Sequence, residues 1–329
     1  MTMYGFKRRA SIRRAMRLGI AGLASASLAI GAVAQDYSAG DVAGGGSVSG
    51  TVTLNGAAPA PAQLPVTSDT DICGADHKMD ESLVVDGATS GIANAVVFLK
   101  DVRKGKAWGL PEDGLIRLAG APADLAGDLA DDDVIPVEIE ELLKTVFITI
   151  SPDAVVSVET PGEQWLVTDE ENGQLFRLQT DDEGLGVYAA ALNQKGCSFT
   201  PHVVVTQAEG SVYVRNSDAT LHNVHTHGEE NPGVNRAQPQ FLKHLALSIE
   251  FPEFVHVTCD VHGWMSSWIV AAPHPYYVVT DAEGNFELTD VPAGTYTVGI
   301  WHESLGEQEQ TVTVAAGAAA SVTAAFDAP

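Results

Sequence analysis

The chain has 329 residues, 45% of them hydrophobic, with 18 Lys+Arg against 43 Asp+Glu and a formal net charge of −25. Such an acidic surface disfavours nucleic acid and anionic lipid as partners and favours proteins with a basic face. The length leaves room for one large or two to three small domains.

The first segment has the pattern of an export signal. Lys7, Arg8, Arg9, Arg13, Arg14 and Arg17 precede an apolar, small-residue run from Leu18 to Ala34, which closes on Ala32-Val33-Ala34. This predicts a secretory signal over residues 1–34, cleaved near Ala34, and too short in its apolar part for a permanent span. Arg13-Arg14 fits twin-arginine export, with general secretion as the alternative. No Cys stands directly after the cleavage point, so no lipid or membrane anchor is expected, and the mature protein should be periplasmic or secreted. Loss of the six basic residues takes the net charge to about −31. Three Cys remain: Cys73, Cys197 and Cys259. An odd count in an oxidising compartment calls for a free thiol or a metal ligand. If Cys259 binds a metal, Cys73 and Cys197 are left to pair.

In chain order, Gly46 to Leu54 and Ala93 to Lys100 read as strands. Between Glu112 and Glu183 stand 19 acidic residues, with Arg117, Lys144 and Arg177 as the bases. Residues 102–193 thus resemble an acidic insertion of mixed structure, in which Glu138 to Ile150 suggests a helix running into a strand. From Phe199 onward short β-type runs recur, at Val203–Val205, Ser211–Arg215, Ala246–Phe251 and Phe254–Cys259. A further set follows Pro275, at Tyr276–Thr280, Asn285–Leu288, Tyr296–Trp301 and Glu309–Val314. Short strands with regular turns indicate β-sandwiches, so the expected class is all-β.

The chemistry-bearing run is Cys259-Asp-Val-His262-Gly-Trp-Met265, which places a thiolate, an imidazole and a thioether within seven residues just past a β-run. Upstream, Asn216-Ser-Asp-Ala-Thr-Leu-His222-Asn223-Val224 supplies a second imidazole from a turn. One Cys, two His and a weak axial Met form the trigonal blue-copper donor set, in which soft sulfur stabilises Cu(I) and imidazole suits Cu(II). The expected metal ligands are therefore His222, Cys259, His262 and Met265, around one copper that cycles between Cu(I) and Cu(II).

His222-Asn-Val and the C-x2-H-x2-M run resemble the copper loops of amicyanin and of plastocyanin-like cupredoxins, with Phe199-x-Pro201 and Gly210-Ser-Val-Tyr-Val-Arg-Asn216 as the preceding strand. The resemblance covers Gly196 to Ala272 and implies a Greek-key sandwich at 194–273. Its equatorial ligands would be His222, Cys259 and His262, with Met265 axial. Asn223 would tie the two ligand loops together near the sulfur. Pro252-Glu253-Phe254 departs from the usual Pro-Gly turn, and a missing strand could come from Ala93 to Lys100.

His225-Thr-His227-Gly228 is similar to a motif of multicopper oxidases. Those enzymes need several such motifs, and here there is one, so a solvated or copper-loading role is the expectation. Cys73-x3-His77 and Cys197-x4-His202 could assemble another metal site, with a Cys73–Cys197 disulfide as the favoured alternative. Trp264, between two ligands, is a candidate docking ring, while Trp268 and Trp301 read as core.

Thr280 to Val298 carries a Gly turn, an alternating strand, a Pro-x-Gly turn and another strand. It resembles the second half of a carboxypeptidase-regulatory-like sandwich. The first half of that family resembles residues 47–101, which suggests nesting: 47–101 and 274–327 form one sandwich around the inserted copper unit. No nucleophile–base set appears, so no enzyme activity is expected. The leading function is one-electron transfer in an exported redox chain. Its partner would be a basic-faced c-type cytochrome or dehydrogenase. Periplasmic copper binding or delivery is the alternative.

Overall fold

The computed structural model describes residues 37–74, 76–108, 190–242 and 244–329, together with the backbone of six strands between 115 and 188. The fold is all-β; among the described residues, helix is confined to the single turn Thr70–Cys73. No helix among them is long and apolar enough to cross a membrane. The leader, residues 1–34, lies outside the described residues.

The two ends of the chain build one sandwich. Gly46–Asn55 lies between Asn285–Val291, antiparallel to it, and Ala319–Asp327, parallel to it. Val96–Leu99 lies between Tyr277–Val279 and Gly294–His302, with Gly306–Val314 beyond. Strand alternation dictates what each buries. In Ala319–Asp327 the residues Val322, Ala324 and Phe326 turn inward while their neighbours face water. They meet Val48, Val52, Leu54, Leu99 and Ile300 in one core. Gly50 allows the closest approach between strands, since a Cβ there would come within 1.6 Å of the Val322 carbonyl oxygen. Each fully buried Val, Leu, Ile or Phe contributes roughly 1.5–3 kcal/mol, so neither end of the chain keeps a core without the other. Val96–Leu99 therefore belongs to the sheets of this sandwich.

Residues 190–272 form a second pair of sheets. One has the order Phe199–Thr200, Ala191–Gln194, Gly210–Asn216, His244–Ile249. The other runs Val203–Gln207, Ser266–Ala272, Glu253–Thr258, His222–His227, Asn235–Gln238. Leu192, Phe199, Val212, Val224, Val257 and Ile269 fill the space between them. Glu253, in the segment that departs from the usual Pro-Gly turn, accepts hydrogen bonds from the backbone N–H groups of Glu229, Glu230 and Asn231. It therefore pins the loop that follows His227. The two sandwiches meet through Val96, Phe98, Val203 and Val270, flanked by Phe254, Trp268 and Trp301.

Most of the helix expected at the start of Glu138 to Ile150, residues 140–143, lies outside the described residues. The described parts of the insertion form a six-stranded sheet, and Val134–Ile139 pairs antiparallel with Lys144–Val156. The β-branched alternation of Thr145-Val146-Phe147-Ile148-Thr149-Ile150 lies in the strand Lys144–Val156, as expected of that part of the segment.

Candidate metal centre

The centre forms where two turns of the second sandwich meet. The first is shaped by Asn216, whose side-chain oxygen accepts the Asp218 N–H and whose amide donates to the carbonyls of Thr220 and Gln238, each at 3.0 Å. This turn delivers His222 to the start of its strand. The second turn follows Glu253–Thr258 and carries Cys259, His262 and Met265, closed by a 2.9 Å bond from Met265 N–H to the His262 carbonyl.

The structure brings His222, Cys259 and His262 together: one ligand atom from each lies within 4.8 Å of the others. These three residues, and Met265 in the same core cluster as Cys259, are sealed from solvent at 0–2% exposure. The two imidazoles face each other through Nδ1, 2.9 Å apart, and His262 Nδ1 is 3.8 Å from the Cys259 sulfur. Asn223 donates its backbone N–H toward that sulfur at 3.4 Å. Its side chain accepts the Asp260 N–H and donates to Asn235 Oδ1. Asn223 thus joins the two ligand turns.

Two carboxylates hold the far sides of the rings. Asp218 Oδ2 stands 2.9 Å from His222 Nε2, and Asp69 Oδ2 stands 2.9 Å from His262 Nε2. A carboxylate accepts, so each Nε2 donates and each Nδ1 is left as a lone pair. Two lone pairs at 2.9 Å repel unless a cation lies between them. With a buried thiol alongside, the donor set fits a soft, imidazole- and thiolate-binding metal ion. Burial holds the His222 imidazole below its ordinary pKa, which keeps the ring neutral and able to ligate. Burial opposes charge on Asp218, yet the N–H groups of Cys197 and Gly196, with His222, outweigh it and lower its pKa.

Cys73 and Cys197 are joined in a disulfide, so they are closed to metal. The bridge sits against His262 within ligand-atom reach and anchors the turn that presents Asp69. Trp264, a candidate docking ring from sequence, is half-buried: its Nε1–H donates to the Cys197 carbonyl at 3.0 Å and its ring lies 5.1 Å from His262. His77 is exposed on the short strand His77–Met79. His202 is buried between Glu303 and Glu81 at the junction of the sandwiches. Sequence reasoning missed Asp218 and Asp69. Asp218 was visible as a carboxylate four residues before His222; nothing in the sequence pointed to Asp69, 193 residues from its partner.

The family model of the carboxypeptidase regulatory-like domain matches residues 269–327. No curated protein matches the chain. Among solved structures, amicyanin from Paracoccus versutus is similar over 26% of this chain and 81% of its own, at 16% identity and a TM-score of 0.24. A purple cupredoxin from Nitrosopumilus maritimus is covered completely by 26% of this chain, at 12% identity and a TM-score of 0.23. For a copper-containing nitrite reductase from Thermus scotoductus the figures are 27% of this chain and 24% of its own, with 17% identity and a TM-score of 0.23. These likenesses are weak.

Proposed function

We propose that the chain is an exported blue copper protein that carries single electrons, with copper held by His222, Cys259 and His262 and with Met265 as the axial ligand. The observation that carries this is the pair of Nδ1 atoms facing each other at 2.9 Å beside a buried cysteine sulfur. Copper bound there would supply the Cu(I)/Cu(II) couple. The residues around it do the rest. Asp218 and Asp69 orient the rings, Asn223 ties the thiolate turn to the histidine turn, and the closed packing excludes water. A site held this rigidly reorganises little between oxidation states, which suits a carrier.

Delivery of copper is the second reading, and the burial of all four ligands argues against it, because release would require the turns to open. The partner in this reading is a redox protein with a basic face, attracted by the acidic surface; the disulfide is consistent with export to an oxidising compartment. No catalytic role is assigned. The test is cyclic redox titration of the copper-loaded protein with a small mediator, followed by copper analysis. A carrier completes repeated one-electron cycles with its copper retained. Copper lost to a chelator on each reduction would favour delivery instead.

A further inference from the structure

All three cysteines of the chain lie in one core cluster of the second sandwich. Cys259 belongs to the buried centre. Cys73 and Cys197 form the bridge, and their sulfurs and a ring nitrogen of His262 all lie within 4.8 Å of one another. Cys197 stands within the same reach of Asp218 and His222. A bridge that served stability alone needs no such neighbours. This one sets two sulfurs against an imidazole of the buried centre, with all three residues at 0–3% exposure.

Each cysteine is also held by contacts that do not depend on the S–S bond. The Cys73 N–H donates to the Asp69 carbonyl at 2.8 Å, within the single helical turn. The Cys197 N–H donates to Asp218 Oδ2 at 2.8 Å, and the Gly196 N–H donates to Asp218 Oδ1 at 2.7 Å. The Cys197 carbonyl accepts Trp264 Nε1–H, and the Gly196 carbonyl accepts from Lys78 Nζ at 2.7 Å. The segment carrying Cys73 is therefore tied to the second sandwich on both sides of the cysteine, at Asp69 and at Lys78. With the S–S bond open, two thiols remain beside His262, their Cα atoms 5.0 Å apart.

We infer that, before the bridge closes, Cys73, Cys197 and His262 form a second metal site, for Cu(I), which hands its ion on to the buried centre; this rests on the reading of that centre as a copper site. Two thiolates and an imidazole suit Cu(I), and each thiol gives up its proton on binding. Asp69 holds His262 Nε2, so Nδ1 serves both donor sets and the two are successive stations for one ion. Once the ion has moved on, the two thiols exchange with a disulfide-bearing oxidant. Their S–H bonds break and the Cys73–Cys197 bond forms, while the oxidant's S–S bond takes up the two electrons and two protons as two thiols. The closed bridge leaves the ion no sulfur outside the buried centre.

The test is Cu(I) titration of the full chain against a chromogenic Cu(I) chelator, after reduction with a phosphine that is then removed under nitrogen. X-ray absorption counts the sulfur neighbours, and alkylation with mass mapping reads which cysteines the metal protects. Cys259→Ser keeps the proposed site and removes the thiolate of the buried centre. Reduced Cys259→Ser should hold one Cu(I) with two sulfur neighbours, and Cys73 and Cys197 should be protected. Its affinity should fall by on the order of 100-fold or more once oxidised glutathione closes the bridge, and by about tenfold in Cys259→Ser/His262→Gln. Circular dichroism checks folding, and a second comparison keeps Cys259 intact. Reduced wild type should take up Cu(I) about tenfold faster than Cys73→Ser/Cys197→Ser, in which the path is open but the sulfurs are gone. Equal uptake rates would overturn the proposal. So would an affinity of reduced Cys259→Ser that closing the bridge leaves unchanged, or one retained in full in concentrated urea, where the thiols chelate without the fold. Failure of the buried-site reading shows separately, as bridged, Cu(II)-loaded wild type without a thiolate band while reduced Cys259→Ser still binds Cu(I) through two sulfurs.

Discussion

Asp69 Oδ2 accepts the Nε2 proton of His262 at 2.9 Å, across 193 positions of sequence. The contact joins the two sandwiches, because Asp69 belongs to the segment between the first strands of one and His262 to the ligand turn of the other. Asp69 holds a left-handed backbone, φ 48°, and its carbonyl accepts the N–H groups of Ile72 and Cys73. The carboxylate therefore stands on a turn that the disulfide fixes at its far end. A negative charge on the ring of a copper ligand favours Cu(II) over Cu(I). Asp69→Asn should raise the reduction potential by on the order of 50 mV, with 59 mV per tenfold for one electron. Protein-film voltammetry reads this directly; an unchanged potential would mean that Asp69 does not act on the metal.

Removing the disulfide should act on both stability and access. Cys73 and Cys197 close a loop across 124 positions of sequence, and loss of such a link costs about 2–5 kcal/mol. The Cys73→Ser/Cys197→Ser pair should lower the urea midpoint accordingly. It should also speed metal exchange, because Trp264 and the Asp69 turn both rest on this bridge. Both effects are measurable in one series of denaturation and chelator-competition curves.

His202 links the sandwiches through charge. Burial opposes its protonation, but the Glu303 and Glu81 carboxylates outweigh that and raise its pKa from 6.5 to about 9. A raised histidine pKa adds stability that is complete below pH 6.5 and lost as the pH climbs to about 9. Wild-type stability should therefore fall by on the order of 2–3 kcal/mol between these limits. His202→Gln should start lower and show a much flatter profile over the same range. A parallel fall in both proteins would assign the loss to other groups.

The sharing of both scaffold sheets by the chain ends gives a proteolysis prediction. Gly46–Asn55 pairs with Ala319–Asp327 over nine positions, from Ser47↔Ala319 to Asn55↔Asp327. Limited proteolysis near Pro275 should leave the two fragments associated until denatured. A freely released, folded C-terminal piece would show that the partner strands are dispensable.

How much of this was legible in sequence depended on whether the signal was local. The Cys259 to Met265 turn was readable because its donors lie within seven residues and follow a β-run. Strands such as Gly46–Asn55 and Asn285–Val291 showed their alternation. His222–His227 did not, because its inward residues include Thr226 and its outward ones are histidines, so the polarity contrast is weak. The first half of Lys144–Val156 was legible as well, through its β-branched alternation up to Ile150. Asp69 was invisible for another reason: its role comes from pairing across the fold, on which spacing along the chain carries no information.

The central claim is that the Cys259 sulfur and the two facing histidine nitrogens bind one copper. The most direct test is the visible and EPR spectrum of mature protein loaded with Cu(II), beside Cys259→Ser. The account predicts an intense thiolate-to-copper band in the wild type, absent in the variant, with one copper equivalent lost. Copper bound at the same stoichiometry in both proteins, with no such band in either, would contradict it.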